Sequence, residues 1–488
     1  MELKPHQARL VETYHEDFRP VLLAGCVGSG KTGTAIILDK LRRERFPRKN
    51  PTLIVCPKTL VQNWVNEIRL WVGEGAVVLC DLTPTKRAKL IKSIEENPPR
   101  WVIANYDTVR IEWEFFQKHH WYHIIVDEAH NIKNRQTGRA VAIKGANAYS
   151  RMALTGTPIA NRPYDLWSLL HFLEPGSEYI RNGVRYHKAG RWGTYNDFCS
   201  HHCYLNPWGQ FEGSRDLLLL HDNLISSGLM VRWKREEILP DLDPIKAMPV
   251  GIEMTTSQRK LYEQLRAGFF AWPDKDGRLT TKQITNVLAQ LTYFRRCTSM
   301  SPKSFSQSLA GKMPGFAPNL HIPNSGDNCK LTHIKDLLQY TLDEQEKIVI
   351  LTNWRDSAFE LEQELKEYDP QIVMGGVNNR QDRVDTFNNS NSRVFIGTSA
   401  AFEGLNLQSS HHIVWNDLPW GPKEVTQGNG RIDRIGQDKP CTAFYLLAED
   451  TIDSRVFNII KGKATDVNDA IDGGVGDEIL QFPWTDIV

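Results

Sequence analysis

Cysteine is scarce in this chain: 8 residues in 488, at positions 26, 56, 80, 199, 203, 297, 329 and 441. Thiols so few and so scattered exclude a disulfide scaffold and fit a reducing compartment. Long apolar runs are missing too. None approaches the roughly 18 residues that a membrane-spanning helix needs, and Met1-Glu-Leu-Lys-Pro-His6 lacks the apolar core of a signal peptide. The sequence therefore points away from membranes and, by default, to the cytosol. Nor does charge of one sign prevail, with Lys+Arg at 59 against Asp+Glu at 58, a net +1. That balance excludes a general basic coat, so any grip on nucleic acid must come from local patches. No internal repeat and no long like-charge block occurs. One dense group of possible metal ligands stands out, Cys199-Ser-His-His-Cys203. It has no CxxC partner nearby, whereas a structural zinc site usually draws on two separated ligand pairs.

What is present is the composition of a globular protein, 41% hydrophobic and 24% charged, which argues against a disordered chain. The length suits about three folding units at roughly 150 residues each, or two large ones with insertions. Over the first 175 residues short apolar runs alternate with helical patterns, as in a parallel α/β sheet. The strand candidates there are Val21–Ala24, Leu53–Cys56, Ala76–Cys80, Trp101–Ala104, His123–Val126 and Met152–Leu154. Helices are predicted over Thr32–Arg45 and from about Thr59 to Trp71. From 176 to 240 the pattern breaks in what reads as an insertion. Its stretch Arg181, Arg185, His187, Lys188 and Arg191 is basic and interleaved with glycine. Ser299 to Asn328, with Pro302, Pro314, Pro318 and Pro323, reads as an exposed linker or flexible loop. Regular patterning resumes after 331, with strands predicted at Lys347–Leu351, Gln371–Met374, Arg393–Ile396, His412–Trp415 and Thr442–Leu447.

Three motifs carry chemistry. Gly25-Cys-Val-Gly28-Ser-Gly30-Lys31-Thr32 matches GxxxxGK(S/T) between a predicted strand and a predicted helix. In that setting the glycines let backbone N–H groups wrap phosphate oxygens. Lys31 supplies charge to the β/γ-phosphates, and Thr32 a hydroxyl for Mg²⁺. Asp127-Glu128-Ala-His130 follows the apolar run 123–126, at the carboxyl end of a strand. Asp127 is placed to hold Mg²⁺, directly or through water, and Glu128 to orient and deprotonate an attacking water. Alone, such acids also suit a helix start; paired with the lysine they favour nucleotide hydrolysis. Gln427-Gly-Asn-Gly-Arg431-Ile-Asp-Arg434-Ile-Gly-Gln437 sets two arginines three residues apart, on one face of a helical turn. An arginine brought to the γ-phosphate is worth roughly 10³ to 10⁵ in rate; the plainer reading is a solvated basic face.

With these motifs in hand, the sequence resembles the helicase-like ATPases of superfamily two, and among them the Swi/Snf-type double-stranded DNA translocases. Leu3-Lys-Pro-His-Gln7 resembles the adenine-sensing Q motif, and Cys56–Trp64, with Lys58 and Thr59, resembles motif Ia. Asp127–Asn134 carries the DEAH-x-IKN form, and Leu154–Asn161, with Thr157, resembles motif III. In the second half Ile348–Trp354 is similar to motif IV, and Gly397–Asn406, with Thr398 and Gly404, to motif V. The Arg431/Arg434 segment is similar to motif VI with its RIGQ ending. Tyr195–Lys246 resembles the HARP annealing-helicase branch, and the bare motor resembles phage and bacterial members. Two departures are plain. Gly25-Cys26-Val27 replaces the usual Asp-Glu-Met, and Arg232-Trp233 replaces the usual paired arginines before Lys234.

The resemblance implies an α/β fold, a P-loop NTPase with two RecA-like parallel-sheet domains in tandem, a helical or irregular insertion and a linker. The expected domains are 1–240 (insertion 176–240), a linker and helical protrusion at 241–330, a second motor domain at 331–470 and a tail at 471–488. It implies ATP and Mg²⁺ as ligands and catalysis by Lys31, Asp127, Glu128, Arg431 and Arg434. Gln7, Gly28, Gly30, Lys31, Thr32 and Gly404 would hold nucleotide. Lys58, Thr59, Thr157, Thr398 and Asn406 would meet nucleic acid, and the basic run Arg181, Arg185, Lys188 and Arg191 is the best local patch for it. The expected partner is double-stranded or branched DNA, bound by a monomer, in a bacterial or phage-infected cytoplasm or in a nucleus. The alternatives are a strand-separating DNA or RNA helicase and a binding scaffold with a vestigial ATP site.

Overall fold

The computed structural model of the chain describes residues 2–26, 28–159, 162–181, 184–188, 190–209, 211–238, 243–266, 269–273, 279–283, 287–310, 322–376, 379–399, 405–434 and 436–472. The chain forms two compact units, one centred on Met1–Pro240 and the other on Asp241–Gly462. Each is built on a parallel sheet. No described helix is long and apolar enough to cross a membrane.

The first unit begins with β1 (Val21–Gly25), β2 (Thr52–Cys56), β3 (Val77–Val78), β4 (Trp101–Asn105), β5 (His120–Asp127) and β6 (Asn147–Thr155). A region of small elements follows: β7 (Ser177–Arg181) with β8 (Val184–Lys188), a helix Tyr195–His202, then β9 (Cys203–Leu205) with β10 (Phe211–Ser214). Next comes β11 (Met230–Trp233), which lies within the stretch that reads as insertion. It is nevertheless an edge strand of the main sheet, parallel to β1. The seven strands run in the order β11-β1-β6-β5-β2-β4-β3.

Both faces of this sheet are covered, which is why its strands read as unbroken apolar runs. Leu22, Ala24, Leu53, Val55, Val102 and Ala104 pack on one face. Their neighbours Val21, Leu23, Ile54, Cys56, Trp101 and Ile103 pack on the other. The period-2 alternation of a strand makes that division unavoidable.

After β12 (Lys246–Ile252) and a small hairpin of β13 (Phe269–Pro273) and β14 (Leu279–Gln283), the second unit has five further strands. They are β15 (Ile348–Leu351), β16 (Gln371–Val373), β17 (Val394–Gly397), β18 (His412–Trp415) and β19 (Thr442–Ala448). The order is β12-β19-β18-β15-β17-β16, again parallel throughout. Strand β12 escapes a pattern search because Pro249 and Gly251 interrupt it, and an edge position is where a sheet tolerates them.

The expected linker at Ser299–Asn328 needs correction over its first part. Pro302–Ala310 is a helix. Met300, Phe305 and Leu309 are buried against Met254 and Leu261. Pro302 occupies the first helical position, where its missing N–H costs nothing, and Ser301 Oγ accepts from Ser304 N at 3.2 Å. The proline that reads as a breaker is here a helix start. Residues 311–321 of the same stretch lie outside the described residues.

The second unit is pinned by one buried ion pair. Lys330 Nζ donates to Asp453 Oδ2 at 2.6 Å and to Asn416 O at 2.7 Å, and the lysine is fully buried. Asp453 also accepts from Thr298 Oγ1 (2.9 Å) and Ala448 N (3.1 Å). Removing the cation leaves a buried carboxylate short of its partner, a loss of about 3–5 kcal/mol. Lys330→Met should therefore lower the denaturant midpoint of the second unit strongly. The pair Lys330→Met with Asp453→Leu should recover part of the loss, and equal midpoints for wild type and the single variant would contradict this role.

Candidate active site

In a parallel sheet, loops leaving the carboxyl ends of adjacent strands meet along one edge. Strands β1, β6, β5 and β2 are neighbours in that order. They lead respectively into the glycine-rich loop, Thr157, Asp127-Glu128 and Lys58-Thr59. Four separate sequence motifs are thereby lined up by topology alone.

The glycine-rich loop joins β1 to helix α2 (Lys31–Arg45), the second helix after α1 (Pro5–Tyr14). Gly28 and Gly30 both take φ +78°, a left-handed backbone that side chains disfavour. A Cβ on Gly30 would lie 2.2 Å from Gln7 Nε2. No side chain caps α2, and its first turn holds no acid, so the helix offers N–H groups and positive dipole to an anion. Lys31 Nζ donates to Gly25 O at 2.7 Å and Cys26 O at 2.9 Å. Burial pushes its pKa down, opposed by the nearby charges of Glu128, then Cys26, then Asp127. Thr32 is the second residue of α2.

Gln7 touches this loop. Its Nε2 donates to Gly30 O at 3.1 Å while its Oε1 accepts from Lys4 N at 2.8 Å. His6 Nε2 lies 3.1 Å from Ser29 O. Helix α1 thus braces the loop from one side, and both ends of the Gln7 amide are engaged within the protein.

Asp127 ends β5 and is buried. Its Oδ2 accepts from Trp64 Nε1 at 2.9 Å and its Oδ1 from Glu128 N at 2.8 Å. Burial raises the Asp127 pKa, the adjacent Glu128 carboxylate raises it further, and the Trp64 N–H and Lys31 act the other way. Glu128 sits at φ +50°, a left-handed conformation unusual for a side-chain-bearing residue. Tyr106 OH donates to the main-chain oxygens of both Asp127 and Glu128, and Asn131 Nδ2 donates to Glu128 O at 2.9 Å. The Glu128 carboxylate meets His130 Nδ1 at 3.2 Å. The strained turn is therefore held from several directions. Lys31, Asp127 and Glu128 come together as the sequence reading expects.

Trp64 and Tyr106 were not singled out by sequence reasoning. Trp64 is on α3 (Val61–Val72), is fully buried and reads as core until its indole nitrogen is located. Tyr106 follows β4 and gives no signal of its own.

The other expected residues are more dispersed. Lys58 and Thr59 are exposed on a short 3₁₀ turn after β2, and Lys58 pairs with Asp81 at 2.7 Å. Thr157 is buried, and its hydroxyl finds no hydrogen-bond partner among the described residues. Arg181, Arg185 and Lys188 fall on the β7–β8 hairpin, with side chains outside the described residues. Arg191 is exposed and lies 3.6 Å from Glu174.

In the second unit Thr398 is buried after β17, its N–H donating to Val373 O at 3.1 Å. Asn406 is exposed, and Gly404 lies outside the described residues. Arg431 and Arg434 follow the helix Pro422–Asn429 in a turn rather than on a helix face, a correction to the spacing argument. They still converge, since both guanidinium groups donate to Leu405 O, at 3.2 and 3.3 Å. Burial lowers the Arg434 pKa.

Cys199 is buried within the helix Tyr195–His202, and Cys203 is buried at the start of β9. Among the described residues they belong to no group of three or more possible metal ligands.

The SNF2-related domain family matches residues 7–301, and the helicase conserved C-terminal domain matches 329–436. A mouse protein, SWI/SNF-related matrix-associated actin-dependent regulator of chromatin subfamily A member 1, is 26% identical over 89% of this chain and 40% of its own length. The yeast ISWI chromatin-remodeling complex ATPase ISW1 is 26% identical over 93% of this chain and 39% of its own. An Arabidopsis thaliana protein, probable ATP-dependent DNA helicase CHR23, is 27% identical over 95% and 42%. The chain thus spans about two fifths of the length of these curated relatives. A solved Sulfolobus solfataricus SWI2/SNF2 ATPase core in complex with dsDNA aligns with TM-score 0.42 and 23% identity, covering 97% of this chain and 94% of that one. The SNF2-related match takes in more than half of the sequence, and the chain belongs to the SNF2-related family, the Swi/Snf-type helicase-like ATPases.

Proposed function

We propose that this chain is a motor core that hydrolyses ATP to move along double-stranded DNA. The observation that carries the reading is the convergence of the half-buried Lys31 with the buried Asp127 and with Glu128 at the carboxyl edge of the first sheet. A glycine loop and an uncapped helix start supply the phosphate cradle there. Glu128, held in its strained turn, is the proposed base toward water. Thr32 and Asp127 would hold Mg²⁺, which supplies charge neutralisation to the phosphates. The donor set fits such an ion, because burial first and the Glu128 carboxylate second raise the Asp127 pKa, and Lys31 offsets this only in part. Arg431 and Arg434 are the proposed source of positive charge toward the γ-phosphate.

DNA as the track is supported by the relatives' names, "probable ATP-dependent DNA helicase" in Arabidopsis and "chromatin-remodeling complex ATPase" in yeast. Lys58, Thr59, Thr157, Thr398 and Asn406 are the proposed backbone contacts, with Arg191 and its basic neighbours as an accessory patch. Contacts of that kind position a protein without reading sequence. Branched DNA is the form we favour for specialised action such as fork remodelling or strand annealing. The likeness of Tyr195–Lys246 to the HARP branch supports it, as does Trp208, 83% exposed in the turn between β9 and β10, where an unpaired base can stack.

Lys31→Ala removes the charge at the cradle and should abolish DNA-stimulated ATP hydrolysis; turnover equal to wild type would remove the assignment. Arg434→Ala should cut turnover by roughly 10³-fold and leave nucleotide binding largely intact, as read by a fluorescent ATP analogue. If Arg431→Ala and Arg434→Ala are both as active as wild type, the two-unit hydrolytic scheme is wrong.

The Trp64 contact yields a pH prediction. Its N–H favours the ionised form of Asp127, the form that binds a cation and predominates above the group's pKa. Trp64→Phe deletes this donor and should raise the Asp127 pKa further, moving the acid limb of the ATPase profile to higher pH. Superimposable profiles for wild type and variant would show that the indole has no such effect.

A further inference from the structure

Outside the hydrolytic site, one convergence of side chains has no part in the function proposed above. Glu346 lies two residues before β15, His411 immediately precedes β18, and His412 is its first residue. Ile348 and His412 are cross-strand partners in the register of these two strands. The three side chains therefore meet at the amino-terminal edge of the second sheet, whereas Thr398 and Arg431 follow the carboxyl ends of its elements. His411 Nε2 lies 2.9 Å from Glu346 Oε1, and His412 Nε2 lies 3.5 Å from Oε2. The two imidazole rings are 4.1 Å apart. One ligand atom from each residue falls within 4.8 Å of the other two.

The backbone beneath them is fixed. Arg393 Nε donates to Glu346 O at 3.1 Å, and Asp343 N donates to the Glu346 carboxylate at 3.1 Å. Thr442 N donates to His411 O at 2.8 Å. Ser410 Oγ bonds the main-chain oxygens of Lys347 and His412, at 2.7 and 2.9 Å. These side chains are preorganised rather than collected by chance on a loose loop. They also remain reachable, at 12% exposure for each histidine and 20% for the glutamate.

An ion-pair role explains only part of this. Two protonated imidazoles in ring contact would repel, so a single carboxylate can usefully serve one of them. His412 Nδ1 is buried and has no hydrogen-bond partner among the described residues. Lys439, close enough to His412 to act on its charge, further disfavours a doubly charged pair. Two imidazoles and one carboxylate make up a donor set that suits zinc. Magnesium and calcium prefer all-oxygen shells.

We propose that Glu346, His411 and His412 bind one divalent transition-metal ion of the zinc class, tying β15 to β18 at the amino-terminal edge of the second sheet. The inference does not depend on the reading of the chain as a DNA motor.

The test uses the full chain, with Zn²⁺ titrated by calorimetry and Co²⁺ followed by visible absorption. One equivalent of Zn²⁺ should bind and raise the melting temperature. Co²⁺ should give the ligand-field bands of a four- or five-coordinate nitrogen–oxygen site, without thiolate charge transfer. His411→Ala and the near-isosteric Glu346→Gln should each weaken binding by at least about tenfold, since even outer-shell changes cost that much. The 8 cysteines remain in both variants, so any thiol binding would persist at wild-type strength. Such persistence, or the lack of stoichiometric binding by a folded wild-type chain, overturns the proposal and leaves a hydrogen-bonded clasp. Glu346→Gln with unchanged metal-free melting and lost Zn²⁺ binding supports it most directly.

Discussion

A half-buried lysine, a buried carboxylate and a second, partly exposed one brought together at one edge of a sheet constrain everything around them. Desolvation drives Lys31 toward its neutral form and Asp127 toward its protonated form; Glu128 above all opposes this at the lysine, and the Trp64 N–H and Lys31 oppose it at Asp127. The protein holds the groups in place largely through neutral donors and acceptors. Lys31 is tied to loop carbonyls, Asp127 to an indole and a backbone N–H, and the Glu128 turn to Tyr106 and Asn131. Such a site is poised for a highly charged ligand that brings anion and cation together. A nucleotide with its divalent ion has that character.

The second unit repeats the architecture with different stakes. Its sheet is also parallel and covered on both faces, by Val349, Leu351 and Trp415 on one side and Ile348, Ile350 and Val414 on the other. Its buried charge is structural, because the Lys330–Asp453 pair reaches Asn416 just beyond β18. The Arg431 and Arg434 guanidinium groups share Leu405 O as an acceptor, and Arg431 Nε also donates to Gln427 O at 2.9 Å. An arginine held by a carbonyl keeps its full charge for a phosphate.

Much of this was legible in the sequence because buried parallel strands leave continuous apolar runs, and phosphate loops demand glycines at fixed spacing. Every strand expected from 21 to 154 and from 347 to 447 is present, though Ala76–Cys80 shrinks to Val77–Val78. The edge strands β11 and β12 were hidden by Arg232, Pro249 and Gly251, residues that edges accept and centres do not. Pro302 misled for the opposite reason, since a proline begins a helix as readily as it ends one. At the site, the charged residues announced themselves by motif. Trp64 and Tyr106 did not, because an aromatic ring reads as core whether or not its polar atom has a task. Convergence such as that of Glu346 with His411 and His412 is a product of register, and adjacency in sequence reveals only half of it.

The near-neutral composition fits this account. A net charge of +1 leaves little general attraction to a polyanion, so a track must be held by a few contacts that can be made and released. The most direct test of the central claim is displacement of a third strand from a triplex by the wild-type chain, run beside conventional unwinding of a duplex. ATP-dependent triplex displacement without strand separation is the predicted result. Hydrolysis stimulated by RNA alone, or strand separation without triplex displacement, would contradict a motor that travels on double-stranded DNA.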